Sequence, residues 1–279
     1  MQITELKYSN TNTYLIEGDS GSVLVDTGWA GTFQAFCSAL GAAGKKLQDI
    51  DYVLITHFHP DHMGIAQDIA DHGPVITVLD LQLPFVHSSD AIFAKDARLC
   101  FLPIEDDRLN VITAENSREF LQGLGLSGEI INSPGHSDDS ISLWLDEGYL
   151  FVGDLNPLYE LELHKGTQIE ETWLKLLQLC PSTVYYGHAK PAELSTPKQG
   201  QRQGTVLCPD ESTEESDYFD LYRLVSHIMK YIDKGYPLDK IEKKTGADKE
   251  FIEAVSRMYL THQNVGVQGI LDRLEIKGK

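Results

Sequence analysis

The feature that most constrains this chain is the histidine-rich stretch Thr56–Gly64, with the sequence Thr-His-Phe-His-Pro-Asp-His-Met-Gly. It places three imidazoles and one carboxylate within six residues, directly after the apolar, β-branched run Tyr52–Ile55. That run is typical of a buried strand, so the stretch is expected to turn at the end of a strand. A borderline metal such as Zn²⁺ takes imidazole nitrogen and carboxylate oxygen, and such a turn aims several ligands at one point. The stretch therefore predicts a metal site.

Three further side chains of metal-binding type share one position in the predicted fold. His136, Asp154 and His188 each follow a glycine, and each lies shortly after a run that predicts a strand. Those runs are Ile130–Asn132, Tyr149–Val152 and Thr183–Tyr186. One turn does not supply enough ligands for two metal ions, so more must come from elsewhere in the chain. Their shared placement makes these three side chains candidates to complete the site.

The order of predicted elements favours sheets that are covered by helices. Hairpins are predicted across Gly18–Gly21 and Asp146–Gly148, and a helix is predicted within Trp29–Ala43. Residues 81–126 do not fit this order of strands and helices, because they hold apolar and aromatic side chains without a clear strand pattern. This segment is either a helical insertion that covers the site or an irregular part of the core.

A domain boundary is predicted within Ser195–Ser216, where proline, glycine and a polar cluster interrupt any periodicity. We assign residues 1–204 to a domain that carries the predicted metal site and 205–279 to a small helical domain. The latter begins with an apolar stripe at helical spacing, formed by Phe219, Tyr222, Val225, Met229 and Ile232. Within it, Ile241–Tyr259 has the helix–turn–helix outline of a DNA-reading motif, but the second helix, from Asp248, is acidic and would face phosphates badly.

The net charge of the chain limits the classes of molecule that it is expected to bind. Lys and Arg number 23 against 42 Asp and Glu, for a net charge of −19, so nucleic acids and anionic membranes are poor partners. No apolar run reaches the roughly 20 residues of a membrane helix, and no secretory signal pattern begins the sequence. The four cysteines form no C-x-x-C pair. We expect a cytoplasmic protein that acts on a small-molecule substrate, and homo-oligomer formation stays open.

In chain order, the motif His-x-His-x-Asp-His at 57–62, Pro-Gly-His136, Gly-Asp154 and Gly-His188 resembles the metallo-β-lactamase-fold hydrolases. The Asp-Thr-Gly triplet at 26–28 also looks like the opening of that family. The resemblance covers about Thr11–Lys190. It implies an α+β fold, a four-layer αββα sandwich with two sheets face to face, helices outside and the metals at one edge. The catalytic domain would carry an insertion at about 81–126 and be followed by the small C-terminal helical domain.

The resemblance also implies a cofactor of two divalent metal ions, with Zn²⁺ expected and Fe or Mn as alternatives. It assigns seven ligands: His57, His59 and His136 to the first ion, Asp61, His62 and His188 to the second, and Asp154 as the bridge between them. Two divalent cations need carboxylates nearby, and this set supplies two. Asp61 would also orient a metal-bridging hydroxide, which makes it the candidate catalytic residue.

An aspartate at the bridging position resembles the thioesterase, lactonase and phosphodiesterase branches, whereas the penicillin-hydrolysing enzymes of the family commonly have cysteine there. We therefore expect a glyoxalase II-like or lactonase-like hydrolase in which a metal-bridging hydroxide attacks a small ester, thioester or lactone. Two alternatives are a phosphodiesterase with the same dinuclear centre and an oxidoreductase similar to persulfide dioxygenases, with a single iron. Tyr159, five residues after Asp154, is a candidate to donate a hydrogen bond to the substrate, and packing of its ring is the alternative.

Overall fold

The computed structural model of the chain describes residues 1–194, 224–225, 227–232, 234–249, 251–253 and 255–256, without the side chains of Tyr159 and Glu162. The chain divides into two compact units, Met1–Arg202 and Gln203–Lys279. The predicted boundary segment Ser195–Ser216 lies outside the described residues. The division of the chain between residues 204 and 205 therefore stays a prediction.

The first sheet of the larger unit has six strands in the order β1-β2-β3-β4-β5-β6. Their bounds are β1 Gln2–Leu6, β2 Thr13–Glu17, β3 Ser22–Val25, β4 Tyr52–Leu54, β5 Val75–Leu79 and β6 Asn110–Ile112. The first three strands are antiparallel, and β3 to β6 run parallel to one another. Val25 pairs with Leu54, so the carboxyl ends of β3 and β4 lie side by side. The segments that follow these strands, at Asp26 and His57, therefore start from the same edge.

The second sheet has five strands in the order β11-β10-β9-β8-β7. Their bounds are β7 Gly128–Asn132, β8 Ile141–Leu145, β9 Tyr149–Phe151, β10 Thr183–Tyr185 and β11 Ala192–Glu193. Strands β9 and β10 are parallel, and β8 runs antiparallel to both β7 and β9. The carboxyl ends of β7, β9 and β10 therefore share one edge, and the loops after them carry His136, Asp154 and His188.

Helices lie between the strands in the chain, and several of them are short. Their bounds are α1 Phe33–Ala42, α2 Pro60–Met63, α3 Ala66–Ala70, α4 Asp90–Phe93, α5 Ser117–Gly123, α6 Gln168–Leu177 and, in the smaller unit, α7 Leu238–Thr245. Turns of 3₁₀ helix occur at Leu47–Asp49, Asp80–Phe85, Ala97–Leu99, Asp106–Arg108 and Leu158–His164. No helix among the described residues is long and apolar enough to cross a membrane.

In the described part of the larger unit, clusters of buried apolar side chains fill the spaces between neighbouring layers. Alternate residues of β3 point to opposite faces of the sheet, so Val23 packs in the cluster between the two sheets and Leu24 packs in the cluster that includes Phe36 of α1. On the far side of the second sheet, Leu150 belongs to a cluster with Trp173 of α6. Helices, sheet, sheet and helices thus follow one another, and the predicted αββα sandwich is confirmed.

The segment 81–126 differs from its sequence pattern. β6 lies inside it and pairs in parallel with β5 at the edge of the first sheet. Leu121 of α5 is buried in the cluster between the sheets. The part of the segment from Asn110 onward therefore belongs to the sandwich itself, and the irregular residues before it carry short helices.

In the smaller unit the described residues are mostly helical. Residues 224–225 and 227–232 are helical, and α7 begins after Pro237 and ends at Gly246, which has a φ of +71°. Glycine is favoured at such a left-handed position, which follows the last residue of α7, Thr245. Ile228, Ile241 and Ile252 are fully buried and supply apolar packing to this unit.

Replacing Trp173 by alanine is expected to lower the free energy of unfolding by about 3–5 kcal/mol. The indole is completely buried beneath the second sheet, and its Nε1 donates a hydrogen bond to the carbonyl of Asn156 at 2.8 Å. Urea unfolding of the full chain measures the loss. The matched control is Leu174→Ala, whose side chain is 40% exposed on the same helix and should change stability by less than about 0.5 kcal/mol. Equal losses in both variants would contradict the packing assigned to α6.

Candidate metal centre

The histidine-rich stretch changes direction between the end of strand β4 and the start of helix α2. After β4 ends at Leu54, the chain continues to His59, whose φ of −74° and ψ of 153° are extended, and α2 starts at Pro60. Proline is favoured at the first position of a helix because its φ is already helical and no N–H is needed there. The extended segment and the first helical turn therefore bring ligands from both sides of Pro60 to one point.

The first group of candidate ligands consists of His57, His59 and His136. Nδ1 of His59 lies 3.1 Å from Nε2 of His57 and 3.0 Å from Nε2 of His136. Ligand atoms at zinc-bond length from one tetrahedral ion lie roughly 3.3 Å apart, so the spacing suits a common cation. Burial lowers the pKa of both His57 and His136, which favours the neutral, metal-binding form of each ring.

The second group consists of Asp61, His62 and His188. Nε2 of His188 lies 3.1 Å from Oδ2 of Asp61 and 3.4 Å from Nε2 of His62. His62 is fully buried at the end of α2, whereas His188 comes from the loop after β10 and is partly exposed. Residues from the first and the second sheet thus meet in this group as well.

Asp154 lies between the two groups. Its Oδ1 is 3.2 Å from Nε2 of His62, and its Oδ2 is 3.3 Å from Nε2 of His188, 3.6 Å from that of His136 and 3.9 Å from that of His57. Oδ1 is buried, and its contact with Nε2 of His62 lacks the geometry of a hydrogen bond, so it has no hydrogen-bond donor among the described residues. A buried carboxylate oxygen without a donor is costly, and a divalent cation at this point would satisfy it. The donor set of imidazoles and carboxylates therefore fits the divalent metals expected from the sequence.

The charges of the second group favour a positive ion there. Burial disfavours a charged His62, but the carboxylates of Asp26 and Asp154 outweigh it and raise the pKa of His62 well above its usual range. At His188, hydrogen bonds to Asp154 and Asp61 outweigh burial and raise its pKa to about 10. Despite its burial, Asp154 has a lowered pKa because of His62 and His188. A cation that binds here takes the place of protons on these rings.

Hydrogen bonds on the far side of each ring select the nitrogen that faces the group. Nδ1 of His62 donates to Oδ2 of Asp26 at 2.8 Å, and Nδ1 of His188 donates to the carbonyl of Asn10 at 2.8 Å. The hydroxyl of Thr56 donates to Asp26, so it accepts from Nδ1 of His57. In all three rings Nε2 is thereby available to bind a metal ion, and orienting a ligand in this way is the usual role of such supporting acceptors.

Asp26 supports the candidate ligands, although it is not one of the seven predicted from the sequence. It is buried at the end of β3 with a φ of +60°, and its two oxygens accept hydrogen bonds from the backbone N–H and hydroxyl of Thr56 and from His62. Among the described residues, Asp26 is one of three non-glycine residues with a positive φ, a conformation that aspartate adopts more readily than most residues. The Asp-Thr-Gly triplet was the signal in the sequence, but it did not indicate which groups Asp26 contacts.

Two further buried polar residues support the first group. Oδ2 of Asp139 accepts a hydrogen bond at 2.7 Å from the backbone N–H of Phe58, which lies between His57 and His59. Nε2 of Gln82 donates to the carbonyls of Ile55 and Asp139 at 3.1 Å each. The loop that carries His136 is thereby tied to the histidine-rich stretch. Neither residue has a distinctive sequence signal, because both act on backbone groups far away in the chain.

All seven predicted ligands lie in this one cluster. They form three overlapping groups, and within each group the ligand atoms lie within 4.8 Å of one another. Tyr159, the predicted substrate contact, lies in the 3₁₀ helix Leu158–His164, but its side chain is outside the described part of the structure. Its role stays a prediction.

Comparison with known proteins identifies the family. The sequence profile of the Metallo-beta-lactamase superfamily matches residues 7–188. Beta-lactamase-like protein 2 homolog of Drosophila melanogaster is 25% identical over 274 residues, 86% of this chain and 87% of that protein. Thioesterase pkgB of Emericella nidulans is 29% identical over 150 residues, 53% of this chain and 36% of that protein.

The fold is shared with solved structures as well. A metallo-beta-lactamase family protein from Thermus thermophilus superposes with a TM-score of 0.52 and 21% identity, over 69% of this chain and 74% of that one. Since the profile match alone spans well over half of the residues and reaches both ends of the ligand cluster, this chain belongs to the metallo-beta-lactamase superfamily, whose members are generally hydrolytic metalloenzymes.

Proposed function

We propose that the protein is a dinuclear metal-dependent hydrolase, with zinc as the expected metal, that cleaves a small ester, thioester or lactone. The observation that carries the proposal is the position of Asp154 between two groups of ligand atoms, with one buried oxygen that accepts no hydrogen bond from the described residues. One group on its own would suit a single ion. Two groups with a shared carboxylate favour two ions over the single iron of a dioxygenase-like oxidoreductase.

Bound divalent cations would polarise a substrate carbonyl and lower the pKa of water at the site towards neutrality. In this proposal His57, His59 and His136 hold one cation, and the second group holds the other. Asp61 is the candidate catalytic residue. An aspartate carboxylate is ionised at neutral pH, so Asp61 would accept a hydrogen bond from the attacking water.

The substrate class rests on charge and on the bridging aspartate. The chain carries a net charge of −19, which disfavours a long polyanion but allows a small molecule because the cations dominate the local field. One relative is named as a thioesterase, which supports carbonyl chemistry. The glyoxalase II-like or lactonase-like substrate, the cytoplasmic location and a hydrogen bond from Tyr159 to the substrate are parts of the same proposal.

His59→Ala is expected to lower metal content and to reduce kcat/KM by about 10³-fold or more, because a lost cation removes several kcal/mol of transition-state stabilisation. Elemental analysis and hydrolysis rates on the same sample measure both effects. His72→Ala is the matched control, since this exposed histidine contacts Phe33 and the carbonyl of Asp68 away from the cluster. Full metal content and full activity in the His59 variant would refute the assignment of the site.

Asp26→Asn is expected to weaken metal binding by about 10- to 100-fold, as is typical when the partner of a ligand is lost. Asparagine has one accepting oxygen where aspartate has two, so its NH₂ group must face either the backbone N–H of Thr56 or the donors of the Thr56 hydroxyl and His62, and the support of the imidazole is weakened. Calorimetric titration of the metal-free protein with Zn²⁺ measures the change. The control is Asp51→Asn, which accepts hydrogen bonds from Ser22 at the opposite ends of β3 and β4. Equal zinc affinities in the two variants would argue against the supporting role of Asp26.

The metal-loaded protein is expected to hydrolyse esters, thioesters or lactones with a higher kcat/KM than bis(p-nitrophenyl) phosphate. A panel of these substrates under identical conditions makes the comparison. A clear preference for the phosphodiester would replace the proposal with a phosphodiesterase that uses the same centre. One iron per chain together with oxygen uptake on a thiol substrate would replace it with the oxidoreductase.

A further inference from the structure

The turn Asn10–Asn12, between β1 and β2, contacts ligand loops that belong to the two different sheets. The hydroxyl of Thr11 donates to the backbone carbonyl of Asp61 at 2.7 Å, on the side of the first sheet. The carbonyl of Asn10 accepts a hydrogen bond from Nδ1 of His188 at 2.8 Å, on the side of the second sheet. One short turn thus touches both halves of the second ligand group.

Asn12 binds the backbone of the His188 loop at three points. Its N–H donates to the carbonyl of Gly187 at 2.7 Å, and its side-chain Nδ2 donates to the carbonyls of Tyr186 and Ala189 at 2.9 Å each. The acceptors lie on both sides of His188 in the chain. Both amide hydrogens of the side chain are therefore used to hold the loop around this ligand.

The His188 loop needs such support because its backbone at Gly187 lies close to the other candidate ligands. A Cβ atom on Gly187 would lie 2.5 Å from Oδ1 of Asp154 and 2.8 Å from Cε1 of His62, so only glycine allows this approach. The side chain of His188 itself is 37% exposed and has less packing around it than His62, which is fully buried. Hydrogen bonds rather than apolar packing must set the position of this ring.

We infer that Asn12 is a positioning residue for the second cation, because it fixes the loop that presents His188. The inference rests on the proposed dinuclear centre and goes beyond it, since it assigns the affinity of one of the two cation positions to a residue that contacts no cation. The first group is held by different contacts, from Asp139 and Gln82. Loss of the Asn12 side chain should therefore act on the two positions unequally.

The test is a zinc titration of the full-length, metal-free protein and of its Asn12→Ala and Asn12→Leu variants. Both variants keep the backbone N–H but lose the two side-chain donors, and leucine also keeps the side-chain volume. Calorimetry gives the two stepwise affinities, and ¹⁵N spectra of the histidine rings show which imidazoles are bound to metal. The expected result for both variants is an unchanged first affinity and a second affinity about 10- to 100-fold weaker. The His188 ring should lose its metal-bound signal at zinc concentrations that still saturate His57, His59 and His136.

The matched control is Ser22→Ala, at the end of β3 that is opposite the ligand cluster: the buried Ser22 hydroxyl donates to the carbonyl of Asp49 and accepts from the N–H of Asp51. It should lower the unfolding temperature without any change in either zinc affinity. The inference is overturned if both Asn12 variants bind two zinc ions as tightly as the unsubstituted protein. It is also overturned if leucine restores the second affinity, since volume would then matter and not the donors, or if both affinities fall together. An unsubstituted protein that binds fewer than two zinc ions would instead contradict the proposed dinuclear centre.

Discussion

The site depends on the buried carboxylate of Asp26. Its two oxygens accept hydrogen bonds from the N–H and the hydroxyl of Thr56 and from Nδ1 of His62, so one group sets the start of the histidine-rich stretch and the orientation of its last ligand. A buried carboxylate is stable only when its hydrogen bonds are made. Asp26 therefore orients the ligands, and the ligand loop in turn supplies the hydrogen bonds that this buried carboxylate needs.

The ligand cluster lies where two sheets end at one edge, and each half of it contains residues from both sheets. His59 and His62 follow β4 of the first sheet, whereas His136, Asp154 and His188 follow strands of the second. The distance between these ligands consequently depends on how the sheets pack through the apolar cluster between them. Polar contacts such as those of Asp139 and Asn12 then adjust each half, which explains why so many supporting residues act on backbone groups.

The carboxylates of the ligand cluster and the net charge of the whole chain have different physical effects. The net charge of −19 belongs mostly to solvated side chains and concerns solubility and the choice of partners. Within the cluster, Asp61 and Asp154 face imidazoles at 3.1 to 3.3 Å and are held in the ionised form. These two carboxylates can thus attract divalent cations, whereas the surface excess acts only at long range.

Much of the architecture follows from local patterns: short apolar, β-branched runs predicted most of the strands, and the helix α7 lies between Pro237 and Gly246. Strands β1, β6 and β11 were not predicted, because each is an edge strand with a single neighbouring strand and has only a weak apolar pattern of its own. The sequence by itself determined the ligand types and their order, since metal chemistry selects imidazole and carboxylate and a turn after a strand keeps them close. Only the tertiary structure decided which nitrogen of each ring faces the centre and that Asp26, Asn10 and Asn12 support it. Those contacts join groups as far apart as 178 residues in the chain, and no local pattern encodes a hydrogen bond to a remote backbone carbonyl.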